Sequence, residues 1–305
     1  MVHVTDQQRR RIVAVVVTFN RLEMLRRQLA RLAEIPELDE VLVVDNASTD
    51  GTGEWLGTQP VTAETLPANT GGAGGFSHGL ERAITSGADL VWLMDDDGLP
   101  DADCLTRLLE RDDLDFWGPA VLAAQDPSRL CFPIRLPGGT TVVHEMSAVE
   151  RAARDGLIRG VLIPFNGVLV TRELVDRIGY PRAEFFIWGD DVEYLWRAEE
   201  AGARIATVVA ARVLHPATDD LGTPMMFGRT TYNHSPSDLK HYCMARNNTV
   251  NLRRYRGWPH VLMFWAKTLW FYLLTRPRPG RLPMSARAAY AGLRGDFTGH
   301  RKYLR

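Results

Sequence analysis

Three almost uninterrupted apolar runs, Ile12-Val13-Ala14-Val15-Val16-Val17, Val41-Leu42-Val43-Val44 and Leu90-Val91-Trp92-Leu93-Met94, each stop at a cluster of polar residues. Short runs rich in β-branched side chains are what a strand buried on both faces requires. Between the first two, Leu22, Leu25, Leu29 and Leu32 keep helical spacing, which predicts a helix from Arg21 to about Glu34 with Asn20 as its N-cap. A further helix ending near Ser86 leads into the third run. Strands alternating with helices predict an α/β fold, Rossmann-like, with a mostly parallel sheet and helices on both faces. Right-handed crossovers then bring the loops after Thr18, Asp45, Gly71 and Asp95 to one edge, outside the carboxyl ends of the strands, where open α/β sheets hold their ligands.

The third run ends in Asp95-Asp96-Asp97. Adjacent carboxylates at a buried strand end repel one another, and a hard divalent cation with oxygen ligands relieves that repulsion while keeping positions for phosphate oxygens. The competing reading is an acidic turn before a helix capped near Asp101 or Asp103. Convergence of four polar clusters on one edge favours a metal and diphosphate site. The run Gly71-Gly72-Ala73-Gly74-Gly75 reads as a loop before a helix, with backbone N–H groups able to approach an anion. It matches neither the dinucleotide fingerprint, since Ser77 stands where the third glycine belongs, nor a P-loop.

Further along, Arg135 to Thr140 is predicted to form a hairpin turn. Ser147 and Glu150 have capping-box spacing for a short helix to about Asp155, part of a mobile flap. Val161–Phe165 and Val168–Thr171 read as strand pieces. Trp188-Gly189-Asp190-Asp191 precedes a helix from Val192 to Gly202, and Arg204–Leu214 reads as a strand ending at His215. Asp190 and Asp191 could each cap that helix or act as a general base; we expect Asp190 near the cap and Asp191 as base. His215 could be a satisfied core histidine or an imidazole ligand, which suits Mn2+ better than Mg2+.

In this order the motifs Thr18-Phe19-Asn20-Arg21, Asp45-Asn46-Ala47-Ser48-Thr49-Asp50-Gly51, Asn69-Thr70-Gly71-Gly72, the Asp95 triplet and Trp188-Gly189-Asp190-Asp191-Val192-Glu193 resemble the inverting family 2 glycosyltransferases of GT-A fold. Within that family the chain is most similar to the galactofuranosyl- and rhamnosyltransferases of bacterial cell-wall assembly, above all the actinobacterial galactofuranosyltransferases that initiate galactan on a lipid-linked acceptor. The resemblance implies transfer from UDP-galactofuranose, or alternatively dTDP-rhamnose, to a polyprenyl-diphosphate-linked saccharide. It implies that Asp45 holds the uracil, that Thr18, Phe19 and Arg21 line the nucleoside pocket, and that Asn69, Gly71 and Gly72 lie against the diphosphate or sugar. It places Asp95 and Asp96 at the nucleotide, Asp95, Asp97 and His215 on Mn2+ or Mg2+, and Asp191 as base. Trp188, Asp190 and Arg246, the last in Tyr242-Cys243-Met244-Ala245-Arg246-Asn247-Asn248, would face the acceptor, Arg246 near its phosphates. A sugar-nucleotide pyrophosphorylase would need a glycine-rich basic loop after the first strand, and Thr18-Phe19-Asn20-Arg21 contains no glycine.

Charge divides the chain. From Lys240 onward 14 Lys and Arg face one acid, Asp296, whereas residues 1–239 carry 22 bases and 36 acids. A basic end on an acidic body suggests an anionic surface or substrate, here an anionic membrane, with no nucleic-acid partner. The segment from Trp258 to Leu274 is aromatic-rich but interrupted by Lys267 and shorter than the roughly 20 residues a spanning helix needs, so an interfacial helix is expected. Three cysteines without ligand spacing suit a reduced chain, and Ile12–Val17 is too short for a signal-peptide core. The expected organisation is a catalytic domain over 1–216, an acceptor-side region over 217–257, and interfacial, membrane-associated helices over 258–305. The expected location is cytoplasmic, peripheral on the inner face of the plasma membrane.

Overall fold

Every residue of β1 (Ile12–Thr18) is buried, because helices cover both faces of the strand. The chain is described by a computed structural model over residues 9–138, 142–216 and 222–304. After β1 come α1 (Leu22–Leu32), β2 (Glu40–Asp45), α2 (Thr52–Leu56), β3 (Thr62–Thr65), α3 (Gly71–Thr85) and β4 (Leu90–Asp95). β3, β2, β1 and β4 lie side by side and parallel. Their register sets Thr18 beside Asp45 and Val17 beside Asp95, so the polar strand ends stand in one row.

Beyond β4 the sheet is mixed, which corrects the expectation of a mostly parallel one. The following elements are β5 (Leu99–Pro100), α4 (Cys104–Leu109), β6 (Phe116–Ala123), β7 (Asp126–Arg135), β8 (Val142–Glu145), α5 (Met146–Ala152), β9 (Leu157–Arg159), β10 (Asn166–Thr171), α6 (Arg172–Ile178), α7 (Asp190–Glu200) and β11 (Ile205–His215). β10 runs antiparallel between β4 and β6, and β11 runs parallel to β6. The reason is local. The chain enters β10 from a turn whose Phe165 carbonyl accepts the Asp95 N–H at the carboxyl end of β4, so it can only run back. Val161–Phe165 is therefore irregular instead of a strand, although Leu162 and Phe165 are buried.

Local signals were overridden where packing or a left-handed residue intervened. Asn20 has φ 53 and does not cap α1; its Oδ1 accepts the Thr49 N–H at 2.7 Å, and Asp50 accepts the Leu22 N–H at 3.1 Å. α5 begins at Met146, one residue before the predicted Ser147 cap, because Met146 and Val149 sink into the cluster around Leu130 and Ile158. β7 and β8 pair as the predicted hairpin, whose tip at 139–141 lies outside the described residues. The glycine run is not a loop: Gly71–Gly75 is the first turn of α3. A Cβ on Gly75 would lie 2.5 Å from Val17 Cγ1, and one on Gly79 would lie 2.4 Å from Val15 Cγ1. These glycines let the helix approach β1 closely.

The remainder is a hairpin, β12 (Thr223–Met225) and β13 (Thr230–Tyr232), followed by α8 (Asp238–Tyr255), α9 (Trp258–Trp270) and α10 (Leu282–Arg294). α9 continues through a wider π turn, Phe271–Thr275. Among the described residues no helix is long and apolar enough to cross a membrane. The three cysteines are buried and unpaired.

Gly79→Ala should cost roughly 1–3 kcal/mol in urea unfolding, since the methyl meets an immobile strand. Gly72→Ala, which meets nothing within 4 Å, should cost little or nothing.

Candidate active site

The strand ends assemble an acidic cluster whose members are paired unequally. Thr18 Oγ1 donates to Asp96 Oδ2 at 2.7 Å, and Arg21 Nη1 donates to Asp96 Oδ1 at 3.0 Å and to Asp97 Oδ2 at 2.5 Å. His215 Nε2, at the end of β11, lies 3.1 Å from Asp97 Oδ1. Burial opposes ionisation of Asp97, but His215 and Arg21 together hold its carboxyl below the usual range. Burial likewise works against the His215 charge, yet Asp97 raises the imidazole to about 10. Asp95 has no such partner: burial first, then Asp97 and Asp96, push its carboxyl up to about 8. The turn that carries the triplet is fixed from α1, where Gln28 Nε2 donates to the carbonyls of Asp95 and Gly98.

The donor chemistry of Asp95, Asp97 and His215 fits a hard divalent cation. Asp97 Oδ1 is buried and faces His215 Nε2 at 3.1 Å, so this oxygen and the imidazole nitrogen would share one cation. His215 Nδ1 faces the Pro216 carbonyl at 2.8 Å, which orients Nε2 toward Asp97. Asp97 and His215 already meet; Asp95 does not join them, and among the described residues no three acidic, Cys or His side chains form a closed ligand set.

Several residues expected to touch a nucleotide are instead committed to the protein. Thr18 and Asp96 are buried against each other. Asp45, expected at the uracil, is fully buried; its Oδ1 accepts the Ser48 N–H at 3.0 Å and its Oδ2 accepts from Thr65 Oγ1 at 3.2 Å. Its carboxylate shapes the loop floor under Gly53, whose added Cβ would lie 3.3 Å from it. Phe19 is 40% exposed and stands free to stack on a planar group. Asn69 Oδ1 accepts the Gly71 N–H at 2.8 Å, opening α3, and Gly72 faces open space. Asn46 is buried and ties this corner together, donating to Gly71 O at 2.7 Å and accepting the Thr70 N–H at 2.8 Å.

Opposite the triplet, α7 starts at Asp190, with Gly189 at φ 87 as N-cap. Burial raises both carboxyls, and Asp190, the more enclosed, is raised further by Asp191 and Asp95. Asp190 therefore keeps its proton more readily, and Asp191 is the member of the pair better able to act as a base. Gly71 meets this segment, for a Cβ there would lie 2.0 Å from Phe186 O. Phe186 and Trp188 both have φ 66, a costly conformation for aromatic residues that persists only when neighbours impose it. The neighbour is α8. Asn247 Nδ2 reaches the carbonyls of Phe185, Ile187 and Trp188 at 3.0, 3.1 and 2.6 Å, and Asn251 donates to Gly189 O at 2.7 Å.

Arg246, expected near acceptor phosphates, belongs to this brace. It is fully buried, and its guanidinium donates to Phe185 O at 2.8 Å, Phe297 O at 3.0 Å and Asn247 Oδ1 at 2.8 Å. Gln28, Asn46, Asn247 and Asn251 had not been singled out from the sequence. Only Gln28 carried a signal, as a polar residue on the apolar stripe of α1.

Residues 13–130 match the family described as Glycosyl transferase family 2. The chain is 34% identical over 298 residues, 94% of its length and 96% of the relative's, to "Galactofuranosyltransferase GlfT1" of Mycobacterium tuberculosis. It is 42% identical over 215 residues, 65% of its length and 82% of the relative's, to "Undecaprenyl-phosphate mannosyltransferase" of Micrococcus luteus. The mannosyltransferase PcManGT of Pyrobaculum calidifontis, solved with GDP-Man and Mn2+, shares the GT-A-like fold: the match covers 94% of this chain and 76% of that one, with TM-score 0.54 and 20% identity.

Asn247→Ala would leave the Ile187 and Trp188 carbonyls of a strained segment without this donor, while Phe185 O keeps Arg246. We expect a stability loss of about 1–3 kcal/mol and faster amide exchange confined to residues 185–191. Uniform exchange in mutant and wild type would remove Asn247 as the brace.

Proposed function

The chain belongs to the family 2 glycosyltransferases, and from that premise we propose that it moves galactofuranose from UDP-galactofuranose to a polyprenyl-diphosphate-linked saccharide in cell-wall galactan synthesis, inverting the anomeric carbon. The observation that carries this reading is the similarity to a galactofuranosyltransferase along 94% of the chain. The arrangement of the site supports it. Phe19 offers a face to the uracil, Arg21 and the open Gly72 border the diphosphate, and the Asp45 loop walls the nucleoside pocket. Asp97, His215 and Asp95 would hold Mn2+ or Mg2+. When bound, such an ion would offset the charge of the departing diphosphate. Asp191 takes the proton of the acceptor hydroxyl in a single in-line displacement, with Asp190 protonated beside it and Trp188 forming an apolar wall.

We assign residues 1–216 to catalysis, 217–257 to the acceptor side and 258–305 to a membrane-facing unit on the inner face of the plasma membrane. Trp258, Leu262, Leu269 and Leu273 are all exposed and recur at intervals of four, seven and four residues, a single stripe along α9 and its π turn. Tryptophan and leucine on a helix amid arginines suit the interface of an anionic leaflet.

The direct test is turnover with UDP-galactofuranose and with dTDP-rhamnose on a synthetic prenyl-diphosphate acceptor. We expect product from the first alone, with inverted configuration and with loss of turnover in excess chelator. Asp191→Asn should reduce kcat by roughly 10²- to 10⁴-fold and leave donor binding nearly unchanged. Rhamnosyl product would transfer the reading to the other donor, and retained configuration would remove Asp191 from its role. For the membrane-facing unit, the protein should float with anionic liposomes at low salt, and Leu262→Glu/Leu269→Glu should stay in the soluble fraction.

A further inference from the structure

Behind the active-site brace, α8, α9 and α10 enclose a cleft of about 430 Å³ that none of the catalytic residues enters. Its walls include Phe264, Trp265, Leu269, Leu282, Ala289 and Leu293. The polar atoms that reach it are already engaged. Thr268 Oγ1 lies 2.9 Å from Tyr232 Oη, Ser285 Oγ lies 2.9 Å from His241 Nε2, and Trp265 Nε1 donates to Thr249 Oγ1 at 3.1 Å. What remains for an occupant is hydrocarbon surface, in a space well above the roughly 150 Å³ at which an apolar cavity already takes up benzene. Leu269 and Tyr290, 50% and 57% exposed, line the cleft, and Leu269 belongs to the α9 stripe proposed to meet the membrane.

A second, smaller pocket of about 110 Å³ is lined by Arg281, next in the chain to Leu282 of the cleft. Arg276, Arg278, Arg281, His234 and Ser235 surround it. Arg281 is shared with Asp238 at 2.9 Å, and Arg276 Nη1 meets His234 Nε2 at 2.8 Å. Among the described residues neither Arg276 nor Arg278 is paired with a carboxylate, and both cationic forks line the small pocket. Guanidinium groups in that state select phosphate oxygens.

We propose that the cleft and the arginine pocket together form a binding site for one isoprenoid diphosphate, the chain in the cleft and the diphosphate among Arg276, Arg278 and Arg281. The inference rests on the lipid-linked acceptor in the reading above and assigns it a place. The same helix, α8, contributes Ala245 to the cleft and Arg246, Asn247 and Asn251 to the segment that carries Asp191. An acceptor anchored there is held against the helix that braces the segment before Asp191.

The test is calorimetric binding of farnesyl diphosphate in saturating UDP and Mn2+, so that the donor site is filled, with inorganic diphosphate and farnesol as the partial ligands. We expect farnesyl diphosphate to bind at least tenfold more tightly than either. Arg276→Ala/Arg278→Ala should lose at least tenfold, and Ala289→Trp, which fills the cleft, should bind farnesyl diphosphate no better than inorganic diphosphate. Leu269→Glu, at the exposed mouth, serves should Ala289→Trp melt early. In wild type, kcat/KM on a prenyl-bearing acceptor should exceed that on its short-chain analogue, and Ala289→Trp should lower that ratio by about tenfold. Equal binding of farnesyl diphosphate and inorganic diphosphate would leave a free-phosphate site only, equal binding of farnesol a plain apolar cleft, and a stable dimer that buries Leu269 would give the cleft to a second copy; each overturns the proposal. A wild type that binds farnesyl diphosphate but transfers no galactofuranose would overturn the donor reading and leave this site standing.

Discussion

Three carboxylates at the end of a buried strand cannot all ionise without cations near them, and much of the molecule serves that electrostatic requirement. Arg21, from the loop after β1, spans Asp96 and Asp97, while His215 arrives on β11 from the far side of the sheet to meet Asp97. Because β10 turns back at Phe165 and inserts antiparallel, β6 and β11 are displaced outward, and His215 reaches Asp97 from across the row of strand ends. Asp95 is left raised, since burial and its two acidic neighbours outweigh the pull of His215 and Arg21, and a divalent ion would offset that excess of negative charge. The cluster is thus unequal by construction, with Asp97 held ionised by His215 and Arg21 while burial raises Asp96 and Asp95.

The other half of the site depends on backbone strain held by hydrogen bonds. Aromatic residues with positive φ at positions 186 and 188 set the direction in which α7 and its first acids emerge. Such a conformation costs on the order of 1–3 kcal/mol per residue, and the amides of Asn247 and Asn251 with the buried Arg246 supply the compensating contacts. Gly71 completes the junction, since only a residue without Cβ fits against the Phe186 carbonyl. Position of the Asp190–Asp191 pair and position of the α3 N-terminus are therefore one packing problem, solved from α8.

That role for α8 also explains how a basic, aromatic C-terminal unit relates to chemistry carried elsewhere. One face of α8 holds the segment before Asp190, and another packs on α9 and α10. The arginines past Thr275 lie where the helical unit turns, next to an apolar cleft. Cations and exposed leucines and tryptophans therefore stand close together in this unit, the arrangement on which the proposed lipid site rests.

The sequence by itself determined the parallel half of the sheet. Near-continuous runs such as Ile12–Val17 and Leu90–Met94 are stable only as strands covered on both faces, and the polar residues that end them had to share one edge. Asp95, Asp97, Asp191 and His215 stand out in the sequence for the same reason, as charged or ligating residues directly after apolar runs or at a helix start, and of these the fold brings Asp97 and His215 into contact. Only the tertiary structure decided the rest. The glycines of 71–75 have two local solutions, a loop or a helical turn, and close packing on Val17 selected the helix. β10 reversed the sheet because of one turn at Phe165, which no periodicity encodes. The resemblance puts Arg246 near acceptor phosphates, yet its guanidinium is taken up by the neighbouring Asn247 side chain and by the Phe185 and Phe297 carbonyls, more than fifty residues away along the chain. Local pattern specifies what a residue can offer; which partner accepts the offer depends on what packing has brought within about 3 Å of it.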